Sequence, residues 1–466
     1  MAAQGPPGAF MSGPLTLRDA ALFTDLYEIT MATSYFREGM TGQATFSLFV
    51  RALPRGRAFL IAAGLEDVVN YLLGFRFSEE AITYLRSLSR FEPSFLDFLR
   101  GLRFTGRLRA VPEGTILFAD EPFPEVTAPI IEAQIVETAV LNFCHLQTLL
   151  ASKAVRSVIA ARGRPVVDFG LRRAHGTDAG LKAARCAFIA GAPTSSNVLA
   201  GLHYGIAPVG TMALSYVAAF PREIDAFRAF GQAFPAHTTL LIDTYDTVAG
   251  ARKAAQVAKE MEARGARLGA VRLDSGDLIA LSREVRKVLD DAGLDYVRIF
   301  ASGGLDEEMV ERCVEEGAPI DGFGVGTRMD VSADAPYLDM AYKLVWYAGR
   351  HALKTSAGKE TWPGEKQVYR FRGAEGAFAE DLLALHDEPP PPGQAEPLLR
   401  AVIRDGRLVE PPSSLASART RCAAQVAALP EAVRRIKDPG TYPVRYSDRL
   451  VALQRALKEE LIRTEG

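Results

Sequence analysis

Six short apolar runs, each closed by a polar or glycine turn, punctuate the middle of this chain. They read VVDFGLRRAHG (166–176), APVGTMALS (207–215), LLIDTYD (240–246), AVRLDSGDL (270–278), RIFASGGL (298–305) and DGFGVGT (321–327). Helix-like stretches separate the last four. Asp243, Asp274, Ser302 and Gly324 stand where a run gives way to a turn, at intervals of 31, 28 and 22 residues. Such spacing is that of a strand followed by a helix. Parallel strands built this way gather their carboxyl ends on one face, and in barrel folds that face carries the chemistry. Here it would present aspartates, arginines and glycine turns. Carboxylates suit a metal or sugar hydroxyls, whereas arginines and bare backbone N–H groups suit phosphates. The pattern therefore predicts a site for a phosphorylated sugar held with a divalent cation.

Outside the series the pattern changes. LFTDLYEITMATSYFREG (22–39) reads as an amphipathic helix with Asp25 at its start. ATFSLFVRAL (44–53) alternates as a strand, and FLIAAGLEDVVNYLLG (59–74) as strand then helix. Residues 105–129 carry short strand signals bounded by Pro and Gly, an open β-layer. From Ile130 to Ala161 the sequence is helical, with no Pro or Gly. KTSAGKETWPGEKQVYRF predicts a hairpin region, PPPPG (389–393) a surface loop, and ALPEAVRRI and SDRLVALQRALKEELI two closing helices. The expected organisation is a flexible tail over 1–16, an N-terminal α/β domain over 17–135, a βα barrel-like domain over 136–355, and a segment over 356–466 that packs back on the N-terminal domain.

Composition narrows the class. A chain of 466 residues, 48% hydrophobic and 24% charged, is expected to form more than one core of globular type. Its net charge of −2 argues against a nucleic-acid binder, so any phosphate site must be basic only locally. Cys144, Cys186, Cys313 and Cys422 form no CxxC pair and read as thiols of a reducing compartment. The six histidines show no HxxxH or HExxH spacing. No basic n-region precedes an apolar core, and no apolar run reaches membrane-spanning length. The cytoplasm is the expected location, without membrane or nucleic-acid partners.

Individual residues admit bland readings beside functional ones. Asp274 or Ser275 could simply cap the helix that follows RLDSGDL. Asp243 could be a ligand-side carboxylate or a cap. LLIDTYD lacks the adjacent acid pair and Gly-Gly turn of a type I phosphoribosyl-diphosphate loop, and that reading is rejected. Ser302, Gly303 and Gly304 of SGGL, which would open a helix over 305–316, and Gly324, Gly326 and Thr327 of GVGT are the phosphate candidates, weighed against ordinary tight turns.

DFGLRRAHG, the GTMxxS stretch, DTYDT and RLDSGDL, in this order, resemble nicotinate phosphoribosyltransferases, with similarity running from residue 22 to residue 371. The resemblance implies an irregular barrel-like domain beside an N-terminal α/β open-sheet domain completed by the C-terminal segment. It implies transfer of a 5-phosphoribosyl group from its 1-diphosphate to nicotinate, with Mg2+ accompanying the diphosphate, in NAD salvage. Arg272 would contact phosphate or the pyridine carboxylate, and Asp274 ribose hydroxyls or magnesium, with Asp243 beside them. The metal's ligands themselves stay unassigned. Arg172 would lie at the substrate with Phe169 and Leu171, and Gly210, Thr211 and Ser215 would line the nicotinate pocket. Tyr27 and Arg51 would be contributed across a homodimer. An exposed arginine pair, a helix-face tyrosine and an edge-strand charge are the plain alternatives for Arg172, Tyr27 and Arg51.

One position departs. The family's GTMAHS carries a histidine that accepts a phosphoryl group from ATP, and here that position is Leu214. Leucine has no nucleophilic nitrogen, so ATP coupling is not expected at this position. A naturally uncoupled enzyme, a variant chain, and a paralogue with another substrate or none stay open. The competing functions are transfer to nicotinamide or another heteroaromatic acid, and nucleotide binding without turnover.

Overall fold

The computed structural model describes residues 20–356 and 359–465. The expected tail, 1–16, lies outside the described residues, as does Gly358 at the head of GKETWPGEKQVYRF. The chain divides into two compact units, Met1–Ser152 with Ala335–Gly466, and Lys153–Asp334. The first boundary falls at 152/153 where 135/136 was expected, and the second at 334/335 where 355/356 was expected; the second shift has a topological reason. The strand Met340–Tyr347, which follows the barrel series in sequence, pairs antiparallel with Gln43–Val50 and so belongs to the first unit.

In the first unit a seven-stranded sheet runs in the order Arg350–His351, Met340–Tyr347, Gln43–Val50, Pro124–Pro129, Arg107–Ala110, Arg400–Arg404, Arg407–Leu408. A four-stranded sheet joins Ala395–Pro397, Lys366–Arg372, Phe378–Leu385 and Val444–Tyr446. The expected open sheet completed by the C-terminal segment is thus present. Leu48, Val126 and Tyr342 share one core with Ile403 and Leu450 from that segment. The expected first helix forms over Leu26–Arg37, with Asp25 at its N-cap position. The continuous helix expected from Ile130 is interrupted at Val136, giving Ile130–Ile135 and Glu137–Ala160. Near the C-terminus, ALPEAVRRI contributes only the single turn Glu431–Arg434. Pro430 forces Leu429 into an extended conformation and ends the preceding helix, Leu415–Ala428, which the sequence pattern did not suggest. SDRLVALQRALKEELI forms the helix Asp448–Glu465 as expected.

The second unit is the barrel-like one. Seven parallel strands lie in the order Ala207–Pro208, Thr194–Ser195, Val166–Asp168, Gly322–Val325, Arg298–Ala301, Ala270–Leu273, Thr239–Leu241. Among the described residues no ladder joins the two outer strands, so the barrel is open there. Leu240, Val271, Leu273, Ile299, Phe323 and Val325 are buried. Near-continuous apolar strands are what a parallel sheet covered by helices requires. Leu278–Asp291 and Glu307–Glu315, among others, provide that cover.

The first unit holds its parts together with a buried ion pair. The Arg370 guanidinium meets Asp381 at 2.6 Å, and both side chains are fully buried. Arg370 also donates to the Ile116 carbonyl at 2.9 Å and to Gln425 at 3.1 Å. Gln425 in turn accepts from the Ile116 N–H. Removing one partner of such a pair strands a buried charge. Asp381→Ala is expected to cost about 3–5 kcal/mol of stability, read as a lower denaturation midpoint in urea. A change below about 0.5 kcal/mol would contradict this role for the pair.

Candidate active site

The carboxyl ends of the parallel strands enclose a cavity of about 690 Å3. Its lining brings together Phe169, Leu171, Arg172, Gly210, Thr211, Leu214, Ser215, Arg272, Asp274, Ser302, Gly303, Gly304, Gly324, Gly326 and Thr327. All of these were singled out from sequence. Tyr27 and Arg51 belong to the other compact unit. Asp243 lies behind the lining and supports it.

Arg272, the third residue of its strand, organises the cavity. It donates through Nε to Ser302 Oγ at 2.9 Å, through one terminal nitrogen to Thr211 Oγ1 at 2.7 Å and the Met212 carbonyl at 3.3 Å, and through the other to Asp274 Oδ1 at 3.0 Å. Its guanidinium carbon lies 5.6 Å from the centre of the Phe169 ring. Ser302 also donates to Asp274. Three strand ends and the 210–215 turn are therefore tied to one cation.

The capping question resolves against Asp274 and Ser275. Asp277 caps the following helix, accepting from the N–H groups of Ile279 and Ala280 at 3.1 Å each. Likewise Asp246, not Asp243, caps Thr247–Glu262. Asp243 Oδ2 accepts from the Asp274 N–H at 2.9 Å and from Ser275 Oγ at 2.6 Å, while its Oδ1 is buried without a partner. It fixes the turn that carries Asp274.

The glycine turns need two corrections. The helix expected from residue 305 starts at Glu307, and Asp306 caps it by accepting from Met309 N–H. That terminus already holds a carboxylate, so an anion would meet the Gly303–Gly304 backbone rather than the helix end. Gly324 lies inside its strand, not in a turn. A Cβ there would stand 2.5 Å from the Phe169 ring, so this glycine makes room for an aromatic floor. Thr327 accepts from Arg173 at 3.1 Å. Arg172 and Arg173 are exposed on the one-turn helix Leu171–Arg173.

Elsewhere, Arg51 is not an edge-strand charge, because Gln43–Val50 lies between two paired strands. Arg51 donates to Asp339 at 2.7 Å. Tyr27 is 49% exposed. Leu214, 51% exposed, opens the short helix Leu214–Ala218. Ser196, Met212, Ala213, Leu241 and Leu305 also line the cavity and were not singled out. For Ser196 the available signal was the TSSN stretch at a strand end, a weak one. The four cysteines are buried. Among the described residues no cluster of three or more His, Cys, Asp or Glu could hold a metal, and no helix is long and apolar enough to cross a membrane.

An arginine, a carboxylate and two glycine turns at the carboxyl ends of parallel strands define an enzyme-type site for an anionic ligand bearing hydroxyls. Comparison with known proteins agrees with this class. Residues 22–145 match the nicotinate phosphoribosyltransferase N-terminal domain and 391–454 the C-terminal domain. The chain is 52% identical over 433 residues to nicotinate phosphoribosyltransferase pncB2 of Mycobacterium tuberculosis, covering 92% of each chain. Its structure is similar to that of human nicotinic acid phosphoribosyltransferase, with a TM-score of 0.81 and 32% identity over 93% of this chain and 99% of that one. It is also similar to nicotinate-nucleotide pyrophosphorylase from Pyrococcus furiosus, with a TM-score of 0.72 and 27% identity over 88% and 96% of the two chains. The chain belongs to the nicotinate phosphoribosyltransferase family.

Two neighbouring glycines separate geometry from anion binding. Gly303 has φ +91°, and a Cβ would stand 1.7 Å from the Asp274 carbonyl oxygen. Gly304, at φ +66°, has nothing within 4 Å of such an atom. Gly303→Ala is expected to displace the Asp274 turn and weaken pyrophosphate binding at least about tenfold. Gly304→Ala should cost only about 1–2 kcal/mol of backbone strain. Calorimetric titration with pyrophosphate and thermal melts distinguish them, and equal effects on binding would refute the assignment.

Proposed function

We propose that this chain transfers the phosphoribosyl group of 5-phosphoribosyl-1-diphosphate to nicotinate, releasing pyrophosphate and forming nicotinate mononucleotide for NAD salvage. The observation that carries this reading is the Arg272 network, which holds a fixed cation beside Asp274 and the Gly303–Gly304 turn. In such a transfer the C1–oxygen bond to the diphosphate breaks and the pyridine nitrogen bonds to C1. Positive charge grows on the ribose ring and negative charge on the leaving group. The ring nitrogen brings its own lone pair, so no general base is required. The protein's part is to orient the reactants and place fixed charge where charge develops.

In this reading Asp274 faces the ribose, Arg272 faces phosphate or the nicotinate carboxylate, and the glycine turns with Thr327 hold phosphate. Phe169, Leu171, Arg172, Gly210, Thr211 and Ser215 bound the nicotinate side. Magnesium arriving with a diphosphate needs only one or two protein carboxylates. Asp274 and Asp243, with its unpartnered Oδ1, are the donors that fit. Bound there, the ion would neutralise diphosphate charge.

The same reading makes the protein a homodimer in the cytoplasm, with Tyr27 and Arg51 serving the partner's site. An exposed apolar face supports a partner. Val198, Leu199 and Leu202, on the helix Val198–Tyr204, are 73%, 48% and 80% exposed. Mixing Tyr27→Ala with Asp274→Ala chains is then expected to restore part of the activity lost in each, because one composite site is intact. No restoration after demonstrated subunit exchange would eliminate shared sites.

ATP is proposed to be unused, because Leu214 offers no phosphoryl acceptor at the cavity wall. Incubation with nicotinate, the diphosphate and magnesium should yield nicotinate mononucleotide at the same rate with and without ATP. No acid-labile phosphoryl adduct should form with labelled ATP. Arg272→Ala should lower turnover by about 10²–10³. ATP stimulation with a stoichiometric adduct would overturn the uncoupled reading, and pyrophosphate release with nicotinamide alone would redirect the substrate assignment.

A further inference from the structure

Beneath the cavity lie two carboxyl groups that its proposed chemistry does not use. Asp168 ends its strand and Asp330 ends the short helix Thr327–Asp330. Both are buried, at 0% and 3% exposure. Asp168 accepts from Ser195 Oγ at 2.5 Å and from the Gly170 N–H at 2.9 Å. Asp330 lies directly over Gly170, where a Cβ would come within 2.1 Å of its carboxyl carbon and of Oδ2. That Oδ2 is buried and receives no hydrogen bond from any N–H or hydroxyl, and the Asp168 carboxyl stands within hydrogen-bonding reach of the Asp330 carboxyl. Two buried carboxylates facing each other repel unless a proton lies between them.

We propose that Asp168 and Asp330 form a hydrogen-bonded carboxylate–carboxylic acid pair that fixes the spacing between the arginine turn 171–173 and the Gly326–Thr327 turn. Asp330 is the acid and donates to Asp168. Burial, then the charge of Asp168, pushes the Asp330 carboxyl well above the usual carboxylate range. Burial also raises Asp168, against the hydrogen bonds it accepts from Ser195 and Gly170. The two turns meet at other points as well. The Phe169 N–H donates to the Val325 carbonyl at 2.9 Å, and Arg173 reaches Thr327. Around the pair, Arg328 pairs with Asp306 and Lys182 with Asp178. Arg172 and His175 are exposed, and Arg185 is buried on the helix Thr177–Ala190. Asp168 and Asp330 are thus positioning residues. Their consequence for ligand binding rests on the anion-site reading of the cavity.

The sign of the pH dependence follows from the shared proton. The folded pair keeps a proton that the unfolded chain releases near the ordinary Asp range of ~3.9. Stability is therefore lost as pH rises above that range, until the folded pair itself ionises. Asp330→Asn supplies an amide donor to Asp168 without needing a proton. Its folding equilibrium constant relative to the unmodified chain should rise by up to about tenfold per pH unit as pH climbs above the ordinary Asp range of ~3.9, until the folded pair ionises. A carboxylic-acid C=O infrared band should disappear in this variant. Pyrophosphate affinity should be retained by Asp330→Asn and fall at least about tenfold in Asp330→Ala. A pH-independent stability ratio with an unchanged infrared band would overturn the pair, and this arm needs only the Asn variant to fold. Unmodified pyrophosphate affinity in Asp330→Ala would overturn the positioning role. An unmodified chain that binds pyrophosphate but makes no nicotinate mononucleotide would remove the functional reading while these results still supported the pair.

Discussion

A guanidinium has five donors in a rigid plane, and a mostly enclosed one must find acceptors for them. Arg272, whose side chain is 15% exposed, does so with groups from three different segments of the chain. Thr211 and Met212 come from the 210–215 turn, Asp274 from its own strand end, and Ser302 from the next strand. Each of these segments must reach its place for the arginine to be satisfied. The cation therefore sets the geometry of the cavity before any ligand arrives. Preorganised charge of this kind is the physical basis of electrostatic catalysis, because nothing has to reorient as charge develops.

The support behind this layer has a different character. Asp243 holds the Asp274 turn through a backbone N–H and the Ser275 hydroxyl. Gly303 allows that turn to approach closely, where any side chain would collide with the Asp274 carbonyl. Across the cavity the 168–173 and 324–330 segments are joined by a backbone hydrogen bond and a side-chain bond. Stiff loops on a parallel-strand scaffold place the anion-facing groups within narrow limits, and small displacements there are costly to catalysis.

Much of this was legible in the sequence, for a definite reason. A buried parallel strand is a short apolar run, and its functional end is the first polar residue after it. Asp274 and Ser302 fit that description, and both line the cavity. What spacing cannot settle is which of several nearby polar residues faces the cavity and which caps a helix. Asp274, Ser275 and Asp277 all precede one helix, and only the fold assigns the cap to Asp277. Gly324 looked like a turn because glycines surround it, whereas packing against Phe169 explains its small size. The domain boundary was hidden because a strand's partner cannot be read from its own residues. Met340–Tyr347 finds Gln43–Val50, far away in the chain. The Asp168–Asp330 pair was invisible for the same reason.

Leu214 shows how a family feature can change without disturbing this frame. It is half exposed at the start of a five-residue helix and takes no part in the Arg272 network. The neighbours that do, Thr211 and Met212, act through a hydroxyl and a backbone carbonyl just before it. A side chain at 214 can therefore lose its nitrogen at little cost to the positions of Arg272 and Asp274. By contrast, a change at Thr211 would remove an acceptor from a largely enclosed guanidinium. The position that the family resemblance links to ATP and the residues proposed for the transfer are physically separable. Loss of the one leaves the geometry of the other intact.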